Sequence, residues 1–128
     1  MKFVILDHKP SQTPPDSGSS ARTENRHFDL MFEIADEKAL NTFAMEFLPE
    51  AGSNAHAIPL AGHRNEYLTY EGPISKNRGT VTRYASGTWT GELSKKATLS
   101  FDDDSKHFAN QTWMIQIDST KNALLRIA

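Results

Sequence analysis

From His27 to Ile34 the chain alternates without interruption: Phe28, Leu30, Phe32 and Ile34 hold one parity, and His27, Asp29, Met31 and Glu33 the other. A period of two marks a half-buried β-strand. One face belongs in a core, and the other must look into solvent or a pocket. Positions 2–8 form a first strand around Phe3, Val4, Ile5 and Leu6. Leu40–Phe47 admits either a strand or a helical turn and is read as a strand. Further short strands are expected at 57–60, 67–70, 79–85, 88–93, 97–101, 112–117 and 123–127, separated by Gly, Asn, Asp or Ser. Many short strands at this spacing point to a barrel or a sandwich. Helical patterns between them are missing, which disfavours a parallel α/β sheet.

A chain of 128 residues with 38% hydrophobic content sustains one modest core, so a single domain over 1–128 is expected. Positions 10–25, rich in Pro, Ser and Thr, read as a flexible loop. The net charge of −2 with 23% charged residues announces no polyanionic or membrane partner in bulk. Local basic patches remain around Arg22/Arg26, Arg64 and Lys76/Arg78/Arg83, although scattered cations of this kind are mostly solvated. With no cysteine, disulfides, thiolate zinc sites and thiol nucleophiles are excluded, leaving His and carboxylates as transition-metal ligands. The apolar start meets Asp7 too early for a signal segment, and no run approaches the roughly 20 apolar residues of a membrane span. The expected location is cytoplasmic.

Because His27 and Asp29 stand two apart in a strand, both point to one side with Cβ atoms about 6–7 Å apart. An imidazole and a carboxylate at that spacing can converge on one ion; they can equally share a surface hydrogen bond. His8, ending the first strand, would supply a third ligand if the two strands were neighbours, and otherwise caps or faces solvent. His63 follows Gly62 in a loop and precedes Arg64, a pair able to face a phosphate or simply to sit in that loop. His56 and His107 carry no functional reading.

The stretch RHFDLMFEI resembles the His-Tyr-Asp-x-Arg-Leu-Glu strand of the phosphoesterase domain of bacterial DNA ligase D, a manganese-dependent module that trims 3′ ends during double-strand-break repair. FVILDH resembles its preceding strand ending in a ligand His, LNTFAM its Leu-x-x-Trp-Ala-Val stretch, and HRNEYLTYEGPI its His-Pro-x-x-Tyr-x-x-Phe-Glu-Gly-x-Ile segment. GTVTRYASGTWT is similar to Gly-Thr-Val-x-x-x-x-x-Gly-Thr-Trp, and LSF with TWMIQI to the closing strands. Order and approximate spacing hold from residue 3 to about 117.

The resemblance implies metal ligation by His8, His27 and Asp29, phosphate contact by His63, and a site role for Tyr67, with Arg64 as a phosphate-binding candidate. It implies manganese, with zinc or another divalent transition metal as the alternative ion. The fold it implies, consistent with the strand pattern, is all-β and mainly antiparallel: a small closed or nearly closed β-barrel with long connecting loops and one metal site at its mouth. The expected activity is metal-dependent phosphoester hydrolysis on nucleic-acid 3′ ends or a related phosphoester. Expected partners are a nucleic-acid 3′ end and a DNA ligase or polymerase, with no membrane and a monomeric state.

Departures bear on that expectation. Met31 replaces the Arg that would clamp phosphate bidentately. Phe47 or a neighbour replaces a basic residue, Ala55 lies near a second expected Arg, and Ala61 replaces an acidic residue before His63. The loop between His8 and His27 is longer than the family's, and EGPISKNRGTV is shorter than its Gly-rich equivalent. Two alternatives therefore stand beside the enzyme: a weak or inactive relative that binds nucleic-acid ends or a repair partner, and a barrel keeping the metal triad as a structural site.

Overall fold

The alternating stretch forms β2 (His27–Phe32), hydrogen-bonded antiparallel to β1 (Lys2–Lys9) with His8 opposite His27 and Leu6 opposite Asp29. The computed structural model describes residues 1–10, 26–74, 79–103, 105, 108, 109 and 111–128. The expected loop at 10–25 falls almost wholly outside these. Past β2 come β3 (Ala39–Met45) and β4 (Ala55–Arg64), then a 3-10 turn over Asn65–Leu68 and the two-residue β5 (Gly72–Pro73). The chain finishes with β6 (Thr80–Glu92), β7 (Lys96–Phe101), β8 (Thr112–Ile117) and β9 (Ala123–Ile127). All pairings are antiparallel. The order β1-β2-β3-β4-β9-β8-β7-β6 closes through β6 on β1, giving an eight-stranded barrel with β5 added alongside β6.

Two expectations about strands are corrected. Positions 79–85 and 88–93 are not separate strands: β6 runs through both, pairing β1 with its first half and β7 with its second. Gly87 does not break it, because Gly87 is a point of close approach. A Cβ there would collide with the Ser100 carbonyl oxygen and stand 2.9 Å from both Phe101 Cα and Phe3 Cε1. Positions 67–70 are not a strand either. They belong to the 3-10 turn and its exit, where the Glu66 carbonyl accepts from the amides of Thr69 and Tyr70.

Side-chain parity sorts the barrel into two cores. Phe3 and Ile5 of β1, Leu30 and Phe32 of β2, and Phe43 of β3 fill the interior with Trp113. Trp113 is fully buried, with ring centroids 4.7 Å from Phe101 and 4.9 Å from Phe108. The opposite parity carries a second cluster outside the barrel: Val4, Leu6, Met31, Leu40 and Val81 under Tyr67. Met31 was expected on a face open to solvent or a pocket, yet it is 1% exposed. The turn bearing Tyr67 folds back over the outer wall and buries it.

The β8–β9 connection is tied by one carboxylate. Asp118 Oδ1 accepts from Thr120 N at 2.8 Å, Thr120 Oγ1 at 2.6 Å and Asn122 N at 3.0 Å. These bonds, chiefly those from Thr120, hold the Asp118 carboxyl below its ordinary value. A depressed folded-state value means stabilisation that is present above the ordinary carboxylate range and lost as pH falls through the folded-state value. Asp118→Ala is expected to lower the melting temperature at neutral pH, with the gap to wild type narrowing as pH drops below that range. A gap independent of pH in parallel thermal melts would refute this role.

Candidate metal centre and cavity

The antiparallel register of β1 and β2 does what sequence spacing alone cannot: it sets His8 directly across from His27, with Asp29 two residues further on the same face. The His8 and His27 ring centroids are 4.6 Å apart. His8 Nδ1 lies 3.1 Å from Asp29 Oδ2, and His27 Nε2 lies 3.1 Å from Asp29 Oδ1. One ligand atom from each residue falls within 4.8 Å of the other two. Donors about 2.1 Å from one ion stand roughly 3.0–3.5 Å apart, so the two Asp29 contacts already fit, and small side-chain rotations close the remainder.

Asp29 is 2% exposed, and among the described residues its Oδ1 has no hydrogen-bond partner. Alignment rather than distance decides this, since His27 Nε2 is near enough but poorly directed. Burial pushes the carboxyl up, but His27 and then His8 outweigh it and hold Asp29 below its ordinary value. An ionised, buried carboxylate with an unsatisfied oxygen between two imidazoles is costly unless a cation completes it. The donor set fits a divalent transition metal, leaving coordination positions for water or substrate.

The triad opens on a cavity of about 380 Å³ on the outer wall of β1 to β4, not at the barrel mouth where it was expected. Ala44, Ile58 and Leu60 line it between His8 and His27 on one side and His63 and Tyr67 on the other. His63 belongs to β4 rather than to a loop, and it reaches the cavity through a β-bulge. Thr42 pairs Leu60 while Leu40 pairs His63, so β4 holds one residue more than β3 across this step. Leu60 and His63 are three apart and would otherwise point to opposite faces. The bulge is tight: a Cβ on Gly62 would meet Ala39 Cβ at 3.1 Å.

His63 Nδ1 lies 3.0 Å from the Ala61 carbonyl oxygen, which only accepts, so Nδ1 carries the proton and the neutral ring keeps its lone pair on Nε2. Tyr67 is 9% exposed, packed on Val4, Leu6 and Met31, with its ring 5.7 Å from that of His63. From the Asp29 row at Ala44 to the His63 row at Leu40 is about 13 Å by strand rise.

Arg64 does not line the cavity. Its guanidinium meets Glu66 at 2.7 Å and is largely exposed. Arg26 does line it, but its Nε and Nη2 donate to both oxygens of Asp7 at 2.9 and 2.7 Å. Asp7 shares the inward parity of Phe3 and Ile5 and is 6% exposed, so it needs this partner. Glu46, Ile58, Leu60 and Ile74 line the cavity without having been singled out in the sequence. The alternation of Ile58 and Leu60 around Pro59 resembles an ordinary core strand; only their 61% and 42% exposure separates them from one. A scan against models of known protein families finds no match, and a search of curated proteins finds none.

Proposed function

We propose that this chain is a metal-dependent phosphoesterase acting on nucleic-acid 3′ ends or a related phosphoester, as the resemblance to the DNA ligase D domain implies. The observation that carries the reading is the unsatisfied Asp29 Oδ1 between His8 and His27, at one side of a cavity that also holds His63. Manganese is the proposed ion, with zinc the alternative for this donor set. When bound, it would supply Lewis-acid polarisation of a phosphoryl oxygen.

The chain's own residues supply the rest. Asp29 and the two imidazoles would hold the ion from the neighbouring strands β1 and β2. His63, anchored through Nδ1 on Ala61, presents Nε2 to the cavity, where it donates to a phosphoryl oxygen when protonated and accepts a proton when neutral. Tyr67 packs against that ring and limits its rotation. A proposed partner at the same face is a nucleic-acid end presented by a ligase or polymerase.

His63→Ala is expected to lower the rate of phosphate release from a 3′-phosphorylated oligonucleotide by about 10²–10⁴-fold at saturating manganese, leaving manganese affinity and melting temperature near wild type. Equal rates in both proteins would remove His63 from the chemistry. A second reading, a relative that binds an end without hydrolysing it, has one observation in its favour: Arg26 and Arg64 are both engaged by carboxylates. It predicts oligonucleotide binding with no release from either protein.

A further inference from the structure

The wall between the metal triad and His63 is apolar and open. Ile58 and Leu60 are 61% and 42% exposed, large side chains left uncovered on the floor of a cavity, and Ala44 and Ile74 extend the same surface. Exposed apolar side chains gathered beside polar groups are a feature of small-molecule sites. The electrostatics point the same way. Among the described lining residues the one lysine or arginine is Arg26, whose guanidinium is clasped bidentately by Asp7, and Glu46 adds a negative charge. A polynucleotide brings several phosphates that ask for unpaired cations. A single phosphoryl group attached to an apolar body asks only for the metal and a dry wall beside it.

We infer that the cavity takes small phosphomonoesters whose organic group is aromatic or branched aliphatic, with that group lying on Ile58 and Leu60. This rests on the phosphoesterase reading for the phosphoryl end and departs from it over what lies beyond the phosphate. The cavity volume of about 380 Å³ is at the small-ligand end of the usual range of about 300–1,000 Å³.

The test compares benzylphosphonate with methylphosphonate, both non-hydrolysable, titrated calorimetrically into the manganese-loaded protein and into an Ile58→Asn/Leu60→Asn variant. Both substituted residues are exposed, so the variant retains its fold and its manganese affinity. The expected result is that wild type binds benzylphosphonate on the order of tenfold or more tighter than methylphosphonate, and that the variant binds the two alike. Equal affinities in wild type would overturn the inference while leaving the phosphoesterase reading standing. Binding of neither compound would overturn both. A single-stranded oligonucleotide with a 3′-phosphate that binds wild type more tightly than benzylphosphonate, with affinity falling steeply as salt rises, would overturn the inference in favour of a nucleic-acid end.

Discussion

Manganese should raise the melting temperature of the wild-type protein, and Asp29→Ala should abolish that rise and weaken manganese binding by at least about 100-fold. The carboxylate is the charged member of the triad, with its two oxygens 3.1 Å from the two imidazoles. Removing it leaves two histidines that retain weak affinity and no charge compensation. In wild type, an ion present at a hundred times its dissociation constant stabilises the folded state by about 2.7 kcal/mol. The variant forfeits that increment. Melting curves with and without manganese, paired with calorimetry, give the answer; a wild type that manganese does not stabilise would sink the site.

Trp113→Ala should cost about 3–5 kcal/mol, a large share of the roughly 5–15 kcal/mol that holds a domain of this kind together. The indole is fully buried, wedged edge-on against Phe101 and Phe108, and its Nε1 donates to Gln111 Oε1 at 3.2 Å. A closed barrel gives the surrounding strands little freedom to collapse into the void, so the cavity term is retained in full. Urea denaturation followed by far-ultraviolet circular dichroism should show the midpoint falling steeply with little change in slope. A loss under about 1 kcal/mol would mean that the interior repacks and that the barrel is not rigid.

The barrel was legible because its strongest sequence signal, the period of two from His27 to Ile34, is produced by the same physics that buries one face of a sheet. His27 and Asp29 followed from that parity, and His8 required only that consecutive strands pair, the commonest arrangement. Other features were hidden for identifiable reasons. Gly87 looked like a break in a strand and is instead a place where Phe3 and Phe101 come too close for any side chain. Met31 carried the parity of the site but lies beneath Tyr67, a long-range contact that no local pattern encodes. The pairing of Arg26 with Asp7 had a trace in the sequence: an acid at the inward parity of β1 requires a cation, and Arg26 adjoins the strand opposite. The bulge before His63 had none, since Ala61-Gly62 reads as easily as a loop.

That bulge has a consequence for how the chain can change over time. The bulge already carries the extra residue, so deleting position 61 or 62 would leave Leu60 and the histidine two apart, in phase on a regular strand and both still facing the cavity. The length of β4 at this step is thus open to a one-residue deletion that keeps the histidine on its face, whereas the same deletion in a regular strand would turn every residue beyond it to the other side. A lineage carrying such a barrel can shed the bulge in one event, with β1 and β2 on the other side of the cavity untouched.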